Sequence, residues 1–227
     1  MRTAVKIRSA EPDRLDYIYR VAAQIICEKG FDATSMNDIA DALGITKAGV
    51  YHHIPGKKDL LFRVMNFGLD ALDREVIFPA REIVDAEQRL GAIIDSHVRL
   101  ITSRSIREGS NPVTIVVEET AGLTPAHRLR INQRKRAYVD LVRETLLELK
   151  QEGKLSEIDV TTATFSLLGM IHWLARWYHP QGRLTPDQVA SEIAKLAIGG
   201  LLKTTPNIRA VKTNCPPKLT ARPDRQT

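Results

Sequence analysis

Apolar residues recur along this chain at intervals of three and four, the period of helices that bury one face. No sustained every-second-residue alternation, the mark of strands, interrupts them. In DRLDYIYRVAAQIICEKG, Leu15, Ile18, Ala22, Ile25 and Ile26 form one such face, with Asp13 placed to cap the helix and Gly30 to stop it. Cys27 falls beside that stripe and reads as core. TSMNDIADALG follows, where Ser35 with Asp38 three residues on makes a capping-box pair, and Ile39, Ala42 and Leu43 make a short inward face. Beyond Gly44, Thr46 heads a very short third helix with Val50 and Ile54 as its buried contacts, and Pro55-Gly56 ends it. A longer helix is predicted from Lys57 to Phe78, just ahead of Pro79. Further helices are predicted over roughly 82–106, 112–121, 125–152, 159–178 and 185–202, separated by REGSNP, GLTP, EGKLSE and HPQGRLTP. Pro125 and Pro186 each follow a threonine, the order of a cap and a first helical proline.

The pattern is all-α, with about nine helices, and the chain divides into four stretches. Residues 1–12 are a basic arm, 13–56 a compact three-helix unit, 57–203 an antiparallel long-helix bundle, and 204–227 a basic, Pro-rich tail expected to be disordered. The charge follows this division. Of the net +6, the first stretch carries +2 and the last +4, leaving residues 13–203 formally neutral. High net charge therefore does not by itself imply nucleic acid; the two ends read either as solubilising arms or as arms that clamp DNA. Cys27 and Cys215 form no CxxC pair and no disulfide framework, and the N-terminus lacks the apolar stretch of a signal peptide, so the expected setting is cytoplasmic. Residues 160–178 are apolar on nearly all sides, but their threonines, His172 and Arg176 argue against a membrane span. No GxSxG, HExxH or phosphate-cradling glycine loop appears, and the six histidines lack metal-ligand spacing, so neither a cofactor nor a metal is expected.

Residues 44–58 hold Lys47, Lys57 and Lys58 and no acidic residue. With Val50 and Ile54 inward, Lys47, Ala48, Tyr51 and His52 fall toward the other side. Gly49 inside a helix costs about 1 kcal/mol relative to alanine, which suits a backbone that something approaches closely. Tyr51 and His52 can donate to phosphate oxygens, and Thr46 and Lys47 to phosphates or base edges. Lys57 and Lys58 open the next helix, where backbone amides already favour an anion. His53 reads as packed and Lys58 as solvated. Two short helices joined at Gly44 have the form of a helix-turn-helix. TSMNDIADALGITKAGVYHHIPGKKDLL resembles the DNA-binding segment of the tetracycline-repressor (TetR) family, departing from most members in having Ile54 where they carry phenylalanine. The resemblance implies DNA-facing roles for Thr34, Ser35, Thr46, Lys47, Gly49, Tyr51, His52 and Lys57. It further implies a homodimer on a palindromic double-stranded operator, by family default a repressor released by a small-molecule effector.

The same resemblance implies a ligand pocket in the bundle and dimerisation through the last two helices. Phe165 and Leu168, with Ile193, Leu196, Ala197, Gly200 and Leu201, are the dimer candidates. His172 and Arg176 lie four apart in an apolar helix, so a buried Arg176 needs an anion: Glu118, Glu119, or a ligand carboxylate or phosphate. Trp173 and Trp177 share a second side, for packing or for stacking on a flat ligand group. The run GMIHWLARWYHPQGRLTPDQVASEIAKLAIGGL is similar to the C-terminal region of members that control fatty-acid, steroid or aromatic-acid breakdown, many of which respond to acyl-coenzyme A. That similarity rests on Trp177, Tyr178, Pro180, Gly182, Arg183, Leu184, Thr185 and Pro186. The ligand candidates are His97, Arg134, Tyr138, His172, Trp173, Arg176 and Trp177. The basic run Arg128, Arg130, Arg134, Lys135 and Arg136 either meets coenzyme phosphates or is a solvated face. The competing function is an α-helical enzyme or binding protein acting on CoA thioesters, for which no catalytic constellation is legible.

Overall fold

The computed structural model describes residues 11–102, 115–116 and 120–203. Helix α1 (Glu11–Lys29) starts ahead of Asp13, which therefore lies inside the first turn rather than capping it. It ends at Gly30, whose φ of 81° is left-handed. Ile18, Ala22, Ile25 and Ile26 are buried, but Cys27 is exposed, one helical step (about 100°) beyond Ile26 and off the stripe. Helix α2 (Met36–Leu43) carries the full capping box: Asp38 N donates to Ser35 Oγ at 3.1 Å, and Ser35 N to Asp38 Oδ2 at 2.8 Å. Its inward face is Met36, Ile39 and Ala40, whereas Ala42 is exposed and Leu43 only partly buried. Gly44, at φ 66°, closes the helix in a conformation that side chains disfavour, with its N–H turned back to Ala40 and Asp41 carbonyls. Helix α3 (Lys47–His53) is started by Thr46, whose Oγ1 accepts from Gly49 N at 3.1 Å, and is clamped from behind by Val50 and Ile54, both at 0% exposure.

Helix α4 (Lys57–Leu72) continues through a π-helical turn, Asp73–Ile77, into the short α5 (Phe78–Arg81). The chain stays helical through Pro79 because Phe78 N reaches back five residues to the Asp73 carbonyl, and the proline beside it has no N–H to place. Helix α6 (Ala86–Thr102) starts after residue 82 because the Asp85 carboxylate accepts from Gln88 N at 2.8 Å. The helix expected over 112–121 lies mostly outside the described residues, though 115 and 116 are helical and Thr120–Gly122 forms a 3₁₀ turn. Helices α7 (Pro125–Gln151) and α9 (Pro186–Leu201) open with the threonine cap and proline, and α8 (Val160–Trp177) with Asp159.

Helix α1 packs on α2 and α4, and α2 on α3; behind them α6 packs on α7, α8 and α9, while α4 also reaches α7. One continuous apolar core runs through both parts. The far end is closed by a short antiparallel bridge, Leu155 to Leu202, flanked by Ser156 N to Leu201 O at 2.8 Å. The fold is all-α, a helix-turn-helix unit followed by a helical bundle, and the described residues contain no strand.

Candidate functional site

Thr46, Lys47, Tyr51 and His52 share an exposed edge of α3, and no acidic residue stands in its first turn. The Lys47 ammonium lies 6.0 Å from the Tyr51 ring centre, so cation and phenol present a joint surface. His53 is partly buried and meets His52 edge-on. A Cβ at Gly49 would come within 3.3 Å of the Thr46 capping oxygen, so the cap would have to give by a few tenths of an ångström. Two expected contacts look different in three dimensions. Thr34 is buried, with its hydroxyl donating to the Gly30 carbonyl at 2.8 Å, so it holds the turn between α1 and α2 and does not face DNA. Ser35 is exposed, yet its hydroxyl both accepts from Asp38 N and donates to Asp38 Oδ2. That hydroxyl, with Lys29, holds the Asp38 carboxyl well below the ordinary carboxylate range.

Lys57 joins the edge from the start of α4. Its ammonium donates to the Asp32 carbonyl at 2.9 Å and sits 4.5 Å from the Phe31 ring centre. Phe31 is pressed in turn against Gly122, where an added Cβ would lie 2.4 Å from the ring. Beside this, His127 of α7 stacks on Phe62 of α4 at 4.0 Å and 10°, with Nε2 3.9 Å from an Asp59 carboxylate oxygen and Nδ1 buried without a partner. The bundle therefore touches the helix-turn-helix unit directly behind Lys57. Sequence reasoning missed His127, and its 3.6-residue pattern carries no sign of partners some 65 residues away.

Inside the bundle, three predicted ligand residues converge from three helices. The His97 ring (α6) lies 2.8 Å, Nδ1 to Oη, from Tyr138 (α7), and its centre is 5.2 Å edge-on from His172 (α8). His97 is fully buried and its Nε2 has no hydrogen-bond partner. Burial, and secondarily His172, pushes the His97 pKa well below 6.5; burial and then the Lys135 charge push His172 down to about 4; burial alone raises the Tyr138 phenol far above its usual range. Lys135 donates to the Val116 carbonyl at 3.2 Å and also lines an open groove of about 510 Å³ with Arg136, Val139, Asp140, Arg143 and Phe165.

The other ligand candidates lie elsewhere. Arg134 is a tie to α4 and its π-turn, donating to Asn66 and Asp70 at 2.7 Å each and to Asp73 at 2.5 Å, so its guanidinium is committed within the fold. Arg176, Trp173 and Trp177 are exposed, because an 18-residue helix apolar all round has only one side against the rest of the chain. Burial does not therefore force an anion onto Arg176, and Glu118 and Glu119 lie outside the described residues.

The expected dimer residues divide. Phe165 at 55% and Leu196 at 66% are exposed together with Gly200, and Trp173 at 64% continues the stripe along α8. Ile193 is partly buried, and Leu168, Ala197 and Leu201 are buried within the chain, on the faces that α8 and α9 turn to its core. An exposed aromatic stripe of this kind marks an interaction surface. Among the described residues no helix is long and apolar enough to cross a membrane, and no cluster of three metal-ligating side chains occurs.

A family model described as bacterial regulatory proteins, tetR family, matches residues 18–64, and the tetracyclin repressor-like C-terminal domain matches 84–201. The HTH-type transcriptional repressor KstR2 of Rhodococcus jostii (strain RHA1) is 29% identical over 200 residues, covering 85% of this chain and 93% of that protein. Among solved structures, AibR in complex with isovaleryl coenzyme A and operator DNA is 38% identical, with a TM-score of 0.73 over 81% of this chain and 97% of that one. PfmR from Thermus thermophilus is 28% identical, with a TM-score of 0.71 over 81% and 97%. This chain belongs to the tetracycline-repressor (TetR) family, and is a DNA-binding transcriptional regulator, not an enzyme.

Proposed function

We propose that the protein is a homodimeric cytoplasmic repressor that grips a palindromic operator through residues 13–56 and is released by an acyl-CoA thioester bound within residues 57–203. The observation that carries the DNA reading is the exposed edge of α3, Thr46, Lys47, Tyr51 and His52, set on a backing of Val50 and Ile54 at 0% exposure. Lys57 adds a cation at the start of α4. Pairing through the exposed stripe of Phe165, Trp173, Leu196 and Gly200 would set two α3 helices on successive major grooves, roughly 34 Å apart.

The effector class is supported by the polar cluster of His97, Tyr138 and His172 inside an apolar bundle and by the groove of Lys135, Arg136 and Arg143 beside it. Together they suit a ligand with a short acyl end and a phosphate-rich end, as in the isovaleryl-CoA that the AibR complex holds. An effector that prefers the conformation with the wrong spacing of α3 helices releases DNA by population shift. The route for that coupling is the contact of Gly122 and His127 with Phe31 and Phe62.

The test takes genomic fragments selected by the purified protein as the operator. Tyr51→Ala and Lys47→Ala should each weaken operator binding about tenfold or more at moderate salt, with the dimer unchanged by sedimentation. Isovaleryl-CoA should dissociate the wild-type complex. Unaltered operator affinity in both variants would overturn the DNA reading, and indifference to acyl-CoA would overturn the effector reading.

A further inference from the structure

The His97–Tyr138 pair holds one hydrogen-bonding group that the fold itself does not use. His97 is fully buried, its Nδ1 is 2.8 Å from the Tyr138 oxygen, and its Nε2 makes no hydrogen bond. Two proton placements are open. With the proton on Nδ1, the imidazole donates to the phenol, and both the phenol proton and the Nε2 lone pair go without partners. With the phenol donating to Nδ1, only an Nε2–H is left over. Burying an unsatisfied polar group is costly, so the second placement, with one orphan in place of two, is the one the fold stabilises. Burial keeps the imidazole neutral and the phenol protonated, so the orphan is an uncharged N–H donor.

An uncharged donor among buried isoleucines (Ile93, Ile94 and Ile101 of the same helix) calls for an uncharged acceptor. A hydrocarbon would leave the N–H unsatisfied. A carboxylate would give up its hydration for a single uncharged donor, since burial keeps His97 neutral. A carbonyl oxygen meets the need without either cost. We infer that His97 Nε2–H is the donor that holds the carbonyl oxygen of the effector's acyl group, and that it selects thioesters over free acids and over alkyl chains of the same length. Tyr138 is the positioning residue, fixing the tautomer through Nδ1. Lys135 lines the groove with Arg136 and Arg143, which would meet phosphates, and its charge reaches His172 of the buried cluster. The inference rests on the acyl-thioester reading given above.

The experiment is calorimetric titration of the full chain with isovaleryl-CoA and with its thioether analogue, S-(3-methylbutyl)-CoA, in which a methylene replaces the carbonyl. The wild type should bind the thioester about tenfold or more tightly, the worth of one hydrogen bond to a buried donor. His97→Phe should bring the two ligands to equal affinity, and His97→Gln, which keeps an N–H, should restore part of the difference. Equal binding of both ligands by the wild type would overturn this inference alone. Binding of neither would overturn the thioester reading and the inference with it. A second measurement needs no effector. Nitrogen-15 NMR of the free protein should find the His97 proton on Nε2, and Tyr138→Phe should release it to a mixture of tautomers; a proton on Nδ1 in the wild type would sink the assignment.

Discussion

The helix-turn-helix unit and the bundle behind it place their polar side chains in opposite environments. Along the α3 edge, Thr46, Lys47, Tyr51 and His52 stand in water, where solvent satisfies them, and Val50 and Ile54 are committed to the interior. In the bundle the informative groups are inside. Thr145 and Thr164 are satisfied locally, through the Leu141 and Val160 carbonyls at 2.9 and 2.7 Å, but His97 keeps an unused ring nitrogen. A surface site of the first kind can be changed with little effect on folding. A buried site of the second kind trades against stability, because an orphan donor is a standing cost.

The largest effect that separates the two regions should come from the backing of α3. Ile54→Ala removes a side chain at 0% exposure and should lower the unfolding free energy by about 3 kcal/mol, read from denaturant titration, while operator affinity falls because α3 loses its clamp. Tyr51→Ala, on the opposite edge and 42% exposed, should change unfolding by less than about 0.5 kcal/mol while it weakens DNA binding. Equal stability losses in the two variants would erase the distinction between clamp and contact.

The same contrast explains what was legible in the sequence. The α3 edge is built from short-range rules: a cap at Thr46, a left-handed Gly44, and Val50 with Ile54 four residues apart. Its misreadings were local as well. Thr34 is one residue before the cap and turns inward to the Gly30 carbonyl, and Ala40 rather than Ala42 completes the buried face of α2. In the bundle, periodicity found the helices but did not say which side each turns to its neighbours. Leu168, Ala197 and Leu201 face the subunit's own core, while Phe165 and Leu196 do not, and an all-apolar α8 gives no internal sign of the choice. His97 and Tyr138 are 41 residues apart, Arg134 finds Asp73 across 61, and such pairings exist only once helices have packed.

A smaller and more diagnostic effect belongs to the buried pair. Tyr138→Phe leaves Nδ1 of His97 without its partner as well as Nε2, and should cost about 1–2 kcal/mol. The double variant His97→Leu with Tyr138→Phe removes every polar atom of the pair and should regain that loss, ending within about 1 kcal/mol of the wild type. Acid adds a second readout. His97 and His172 have folded pKa values below 6.5, so the unfolded chain takes up protons that the folded chain refuses, and wild-type stability falls as pH drops from 6.5 toward about 4. The double variant should fall less steeply over that range, since one of the two histidines is gone. Simple additivity of the single substitutions, with an unchanged acid slope, would mean that the pair is not a unit.

The smallest effect is expected at Ser35, the cap of α2, for which the family resemblance also implies a DNA-facing role. Ser35→Ala should cost about 1 kcal/mol through the lost cap. It should also raise the Asp38 pKa toward the ordinary carboxylate range, because the hydroxyl is the largest influence holding it down. A carboxyl with a depressed folded pKa contributes stability that is present above 3.8 and lost as pH falls through the folded value, so the acid limb of the variant should flatten, and an NMR titration of Asp38 should follow the rise. Asparagine caps a helix about as well as serine without adding charge, so Ser35→Asn should recover the stability. Because the Ser35 hydroxyl already donates to Asp38 Oδ2 and accepts from Asp38 N, little of it is left for phosphate, and operator affinity in Ser35→Asn should stay within about twofold of the wild type. Recovered stability with a tenfold loss of operator binding would return Ser35 to the set of direct DNA contacts.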